Sequence, residues 1–409
     1  MLVSPFTFYR GAALIMASDL AATPRSGITV QLCGDAHLSN FGVFASPERK
    51  MMFDINDFDE THPGPWEWDV KRLAASFEIG GRDLGFSLSD RREIVTTGVR
   101  EYRKTMRRAA GMRVLDAWYD HLDVERVLGL IQAAVRENRL GRKEAKEAAQ
   151  DVAKARTRDH VRAFSKRADE IDGELRIVAD PPLIVPIHDL LPPGTARDET
   201  DAWIRSEVRA YRRSLARQHH PIEEYRYRDT ARKVVGVGSV GTRAWIHLFV
   251  GRDDDDPLIL QSKEAQASVL ERFLGKSAYA NHGQRVVVGQ HLMQAATDIF
   301  LGWFRIKGLD GVTRDYYVRQ LHDWKGGADV DSFRVPGAML YAQLCGATLA
   351  RAHARRGDRI AIASYLGKGD AFDRAIADFS TAYGDQNERD YEALVEAVKS
   401  GRLTAQTGL

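Results

Sequence analysis

Five of the chain's 13 prolines fall within "PPLIVPIHDLLPPG" (181–194). Proline lacks the N–H that a helix or a sheet ladder uses and fixes its own φ, so no regular helix runs through such a stretch. The chain is expected to divide there. Before it, helical periodicity dominates; after it, the pattern turns to strands until helix returns near the end. With 409 residues, two or three compact units are expected.

Residues 1–180 read as a largely helical unit. It opens with a helix at "FTFYRGAALIMASDLA" (6–21), a strand at "GITVQLC" (27–33) and a strand at "KMMFDINDF" (50–58). "ASPERK" (45–50) supplies the turn between them, and a long charged helical stretch follows from Leu88 to Arg167. Residues 181–225 form a connector with a short helix at 202–217. Residues 226–325 form a β-rich unit with strands at 232–251 and 258–265 and a hairpin at 298–321, in which "RDDDDP" and "KGLDG" serve as turns. Residues 326–409 return to helix, at 339–358 and from about 371 to 398, and complete the helical unit.

Composition narrows the partners. Lys plus Arg (59) nearly balances Asp plus Glu (57), so nucleic acid is not an expected ligand. Only Cys33 and Cys345 are present, with no C-x-x-C, so neither a disulfide framework nor a structural zinc site is expected. No apolar run reaches the roughly 18–20 residues of a membrane span. "GAALIMASDLAA" is interrupted by Asp19 and lacks a basic leader, so it reads as a buried amphipathic helix. The expected setting is the cytoplasm, away from membranes.

The chemistry concentrates in "QLCGDAHLSNFG" (31–42). A strand-like run ends in Asp35, and Asn40 follows at the spacing D-x-x-x-x-N. In phosphoryl transfer a carboxylate takes or orients the acceptor's proton, while a nearby amide oxygen ligates magnesium. A further carboxylate must hold the metal that bridges the phosphates. "INDFDE" (55–60) supplies it. Asp57, followed by Phe58, is the preferred ligand, with Asp54 and Asp59 as neighbours able to take that place. His37 is expected to orient the loop, and Asp69 in "GPWEWDVKRLAAS" (64–76) to tie its carboxylate to the loop's backbone or to cap its own helix. "GDAH" also fits the start of a dimetal phosphoesterase, but the sequence contains no Gly-Asn-His and no late Gly-His-x-His element of such a site.

"VVGVGSVGTR" holds Gly236, Gly238, Ser239 and Gly241 in a G-x-G-x-x-G pattern. A β-rich run follows rather than a helix, so the pattern fits a glycine turn between antiparallel strands, whose backbone N–H groups approach phosphates closely. Lys263, at the end of the apolar strand "LILQSKEA", is expected to reach the α- and β-phosphates. Glu271 is chosen as its acidic partner.

The run "SPFTFYRG", "GDAHLSNFG", "NDFDET" and "GPWEWDVKRLAAS", with the later "LQSKEA" and "LARAHARRGD", resembles a bacterial family, the domain of unknown function 2252. "GDAHLSN", "INDFDE" and "WEWDVKRLA" are more distantly similar to the catalytic and metal-binding stretch of aminoglycoside-phosphotransferase-type kinases. That likeness implies Asp35 as catalytic base, Asn40 and Asp57 as magnesium ligands, and ATP as donor. Such kinases place the glycine loop and lysine first; here they come about 200 residues later, so the likeness implies a circular permutation. "QLHDW" (320–324) would then form the hinge near the adenine.

The expectation is an α+β, protein-kinase-like fold of two lobes, circularly permuted, with the catalytic-loop lobe first and the glycine-loop β lobe second. The expected activity is ATP- and magnesium-dependent phosphotransfer to a small-molecule or protein acceptor that the sequence does not identify. A nucleotide-binding pseudokinase, a nucleotidyl transferase on the same fold and a dimetal phosphoesterase are the alternatives.

Overall fold

The structure, a computed structural model, describes residues 1–157, 164, 167–171, 174–191, 197–215, 220–234, 242–308, 310–321 and 324–405. It is an α+β protein whose sheets are all antiparallel. Its centre is the helix Trp66–Asp83, buried on nearly every face. Such a helix must be covered all round. Leu88–Ala110, Val335–Arg356 and Ala371–Lys399 pack with it, so helices from both ends of the chain share one core.

Helix Leu88–Ala110 begins at Ser87, whose Oγ accepts the Asp90 N–H at 3.1 Å, which satisfies an N–H left without an intrahelical partner. Trp66 stacks flat on its Tyr102 at 5.8 Å. The same helix meets Val335–Arg356 most closely where Gly98 faces Gly346. A Cβ on Gly346 would collide with the Gly98 carbonyl oxygen.

Two small sheets lie against this core. Thr29–Leu32 pairs with His62–Pro65, and Phe41–Ala45 pairs with Met51–Ile55. Gly326–Gly327 adds at the free edge of Phe41–Ala45, Gly326 opposite Val43. The turn at 45–50 thus joins Phe41–Ala45 to Met51–Ile55. The strand Phe41–Ala45 was not expected, because "FGVFA" is too short to show alternation.

The larger sheet has six strands in the order Gly302–Lys307, Thr313–Gln320, Pro257–Ala265, Ala244–Val250, Arg226–Lys233 and Ile184–Pro186. Strand alternation sorts its side chains. Leu258, Leu260, Phe249, Tyr316 and Val318 face helix Arg197–Arg212 through Tyr211. Ile246, Ile259 and Leu321 line the opposite face. Lys263 has the parity of Ile259, while Ala265 joins the core of the helical unit. Helix His282–Met293, capped by the Asn281 side chain on Gln284 N at 3.0 Å, spans from this sheet to Val335–Arg356 and Thr29–Leu32.

Several sequence expectations differ from this picture. The helix expected at 6–21 is two, Pro5–Arg10 and Ala13–Ala21, with Gly11 closing the first. Among the described residues, the stretch from Leu88 to Arg167 holds the separate helices Leu88–Ala110, Val114–Tyr119, Val124–Arg136 and Arg142–Arg156 in place of one long helical run. A hairpin, Ala168–Ile171 with Glu174–Ile177, lies beyond that stretch, where no element was expected. It docks because the Ile177 N–H donates to Asp229 Oδ2 at 2.8 Å and Ile177 enters the sheet's apolar face. The proline-rich connector supplies the edge strand Ile184–Pro186, a position where proline costs no ladder bond. "EAQASVLERFLG" is helical only at Glu271–Leu274. Among the described residues no helix is long and apolar enough to cross a membrane. Cys33 and Cys345 are both buried and unpaired.

The close helix contact predicts opposite effects at two glycines. Gly346→Ala overpacks it and should cost about 1–3 kcal/mol in urea denaturation. Gly129, in helix Val124–Arg136 with open space around it, should gain about 0.5–1 kcal/mol as alanine. A neutral Gly346→Ala would mean the two helices are not held this close.

Candidate functional site

The strand Thr29–Leu32 delivers the chain into a loop whose backbone is held at every turn. Gly34 adopts φ +85°, a left-handed conformation that glycine takes without strain, and a Cβ there would strike the Glu60 carbonyl. This close approach sets the 31–42 loop against the 55–60 segment. Asp69, on the central helix, accepts the N–H groups of Cys33 at 2.9 Å and Gly34 at 3.1 Å. Its Oδ2 also meets His353 Nε2 at 3.2 Å, and His353 Nδ1 lies 2.8 Å from the Tyr102 hydroxyl. Ser76 Oγ accepts the Leu38 N–H at 3.0 Å. Asn40 Nδ2 donates to the Asp35 carbonyl, and Asn56 N donates to the Asn40 carbonyl, each at 2.8 Å.

Asp35 is held by Arg72. The guanidinium approaches Oδ1 to 2.7 Å, donates to the Tyr9 carbonyl at 2.8 Å and lies 4.0 Å over the Tyr9 ring. The Tyr9 hydroxyl in turn donates to the Arg72 carbonyl at 2.7 Å. Asp35 Oδ2 points the other way, 3.7 Å from His37 Nε2. Burial, reinforced by Arg72 and Arg10, outweighs the attraction of Asp35 and pushes the His37 pKa down to about 4, so its imidazole is neutral at pH 7. Several buried polar atoms of the two segments and their surroundings, among them His37 Nδ1, Ser39 Oγ, Asp59 Oδ1, Arg10 Nε and Arg285 Nε, have no partner among the described residues. Buried polar groups are ordinarily paired; a bound ligand would supply such partners.

Lys263 comes from the larger sheet to the acidic segment. Its Nζ forms an ion pair with Asp59 Oδ2. Burial disfavours the ammonium, but Tyr317, Asp59 and Asp57 outweigh it and hold the lysine pKa above its ordinary value. Asp57 accepts the Asp59 N–H at 3.1 Å. Burial pushes its pKa up, yet Lys263 and then Arg319 hold it below the usual carboxylate range, so it is ionised. Arg285, from helix His282–Met293, fastens the segment by donating to the carbonyls of Asp59 and Thr61 at 2.7 Å and of Gln266 at 2.8 Å.

The other sequence candidates fall differently. Asp54 turns to the opposite side of its strand, accepting from Ile55 N at 2.9 Å and Ala295 N at 3.2 Å, and burial raises its pKa. Glu271 was expected beside Lys263. It lies instead 4.0 Å from His282, on a short helix past the strand's end, and Asp59 takes the place against the lysine. Gly236, Gly238, Ser239 and Gly241 lie outside the described residues, as do His322 and Asp323 of the expected hinge. Arg72, Tyr9, Arg285 and His353 were missed. Only Arg72 left a legible signal, since its i+3 spacing from Asp69 puts both on one helix face.

The oxygen donors fit a hard cation. Asp57 is ionised, Asp59 keeps an unpartnered Oδ1, and Asn40 uses its amide nitrogen on Asp35, leaving its carbonyl oxygen as a donor. Carboxylate and amide oxygens suit magnesium. Among the described residues, no group of three or more His, Cys, Asp or Glu side chains forms a metal cage.

The buried His37 predicts a pH effect. Its folded pKa of about 4 lies below the ordinary value near 6.5, so the unfolded chain binds the extra proton between those pH values. Stability should therefore fall as pH drops from about 6.5 to 4, by on the order of 3 kcal/mol from this residue. Urea titrations of His37→Gln should show a flatter profile across that window; an unchanged slope would contradict the burial of a neutral imidazole.

Neither the curated proteins nor the solved structures gave a match. A family model does match, over residues 1–397, described as an uncharacterized protein conserved in bacteria. With nearly the whole chain covered, the loop, the acidic segment and the lysine strand all lie inside the match, and the protein belongs to the DUF2252 family.

Proposed function

We propose that the protein is an ATP- and magnesium-dependent phosphotransferase with a kinase-like site on a circularly permuted scaffold. The observation that carries this reading is the Lys263–Asp59 ion pair, formed across 204 residues of sequence beside the ionised Asp57. A strand lysine brought near carboxylates that follow an Asp-x-x-x-x-Asn loop assembles parts that kinase-type phosphoryl transfer uses, with Asp59 standing where those enzymes set a helix glutamate against the lysine. Gly326–Gly327 pairs with Phe41–Ala45, which brings the chain after the β-rich unit back to the proposed catalytic loop and supports a rotated chain order.

In this reading the nucleotide lies between the six-stranded sheet and the 31–60 segment. Lys263 holds phosphate oxygens. Asn40 and Asp57 would hold magnesium, with Asp59 as a further carboxylate, and the metal would neutralise charge on the phosphates. Asp35 Oδ2, facing away from Arg72, takes the proton of the acceptor hydroxyl or amine as the acceptor atom bonds to the γ-phosphorus. The bond from that phosphorus to the bridging oxygen breaks, and ADP leaves. Arg72 positions the carboxylate by fixing Oδ1. Asp69 positions the loop. A cytoplasmic setting provides the ATP.

The test uses the full chain with magnesium and labelled ATP. The wild-type protein should bind MgATP in calorimetry and release ADP. Lys263→Met should weaken binding about tenfold or more. Asp35→Asn should bind as the wild type does yet form no ADP. Pyrophosphate in place of ADP would identify the nucleotidyl transferase, binding without product the pseudokinase, and no MgATP binding would end the reading.

A further inference from the structure

The sequence reading left Arg319 and Lys325 without a role. Both stand beside the candidate site. On the strand Thr313–Gln320, Tyr317 pairs with Lys263 and Arg319 with Gln261. Residues two apart share a face of a sheet, so Arg319 lies on the same face as Lys263, one repeat of the pleat toward Leu321. Its guanidinium sits 5.8 Å over the Tyr317 ring. Among the described residues its one hydrogen bond is a long one, 3.4 Å to the carbonyl of Asn56, the residue before Asp57. Lys325 precedes Gly326–Gly327, whose pairing with Gly42 and Val43 returns the chain to the same place. Asn56, Arg319, Gln320, Lys325 and Asp298 line one cavity of about 60 Å³. Such a space holds a few waters, and a phosphate group fits its scale.

The charges are crowded. Arg319, with burial, pushes the Lys325 pKa down to about 7 against the opposing pull of Asp57 and Asp59. Asp57, Asp59 and Asp298 are the carboxylates acting on Arg319. Asp298 already accepts the N–H of Gln320 at 2.6 Å. If Asp57 and Asp59 turn to a metal ion, the pull they exert on Arg319 and Lys325 is shared with that ion, and withdrawing negative charge from buried cations is costly. Phosphate oxygens are the ligand that restores the balance.

We propose that Arg319 and Lys325 form a second phosphate subsite beyond Lys263, so that the phosphate chain runs along the sheet toward these two side chains. The subsite rests on the nucleotide-binding reading above and extends it: the ligand is a magnesium-bound di- or triphosphate, recognised first through its phosphates. A free polyphosphate shares that chemistry.

Calorimetry on the full chain separates these terms, with MgATP, magnesium tripolyphosphate and adenosine as probes. Wild type should bind MgATP and tripolyphosphate. Arg319→Met and Lys325→Met should each weaken both by about tenfold, leave any adenosine binding unchanged, and reduce the salt dependence of binding. Arg319→Lys and Lys325→Arg keep the charge and should restore most of the affinity, which guards against a folding defect. MgATP affinity unchanged in both methionine variants, with wild-type binding intact, would overturn the subsite and leave the phosphotransferase reading standing. Tripolyphosphate binding without MgATP binding would support the subsite and assign it to a free polyphosphate. No binding of either probe by wild type would overturn both.

Discussion

A single buried carboxylate organises this protein. Asp69 takes the backbone of Cys33 and Gly34 on one side and His353 on the other, and His353 leans on Tyr102. Four segments spread from residue 33 to residue 353 meet at that group. A buried carboxylate is tolerable only when its oxygens are satisfied, so the helices Leu88–Ala110 and Val335–Arg356 and the loop must all be in place together. The same requirement fixes the loop. Its backbone has no freedom to slide without leaving Asp69 short of partners, so Asp35 and Asn40 are presented from a rigid base rather than a mobile turn.

The second constraint is the contact of Gly34 with the Glu60 backbone, which brings the acidic segment beside the loop. From there the geometry follows from strand parity. Lys263 lies on the face of the large sheet that looks toward the helical unit, and Arg285 secures the segment's carbonyls from the adjoining helix. Each charged side chain at the site therefore comes from a regular element or from a loop bonded to one. Arg72 shows the same logic. It spends its donors on Asp35 and on the Tyr9 carbonyl, so it orients one carboxylate oxygen and leaves the other open.

Much of this was legible because short motifs carry their own geometry. "GDAHLSN" and "INDFDE" each combine a strand end with acidic residues, and the structure sets them side by side. The helices at 335–356 and 371–399 were readable from apolar periodicity. Other parts were not. Phe41–Ala45 is a five-residue strand with glycine inside, and the hairpin 168–177 is held by a distant carboxylate, Asp229, that no local pattern announces. Glu271 was chosen by analogy with lysine–glutamate pairs on a neighbouring helix, but the helix that packs there, His282–Met293, presents Arg285 instead. Partnerships across a fold depend on register and on where a chain turns, and a sequence window contains neither.

The proposed chemistry also makes sense of why Lys263 and Asp59 pair directly. Without ligand, each buried charge neutralises the other, and neither is stranded in a low-dielectric cleft. Phosphate oxygens offer Lys263 a replacement for Asp59, and a magnesium ion offers Asp59 a replacement for Lys263. Taking either partner alone leaves the other charge unpaired; taking both restores neutrality on each side. Nucleotide and metal then favour one another's binding, and linkage makes that coupling reciprocal. On the proposed function, the closed ion pair would act as a latch that a metal-bound polyphosphate opens more readily than a free anion or a free cation.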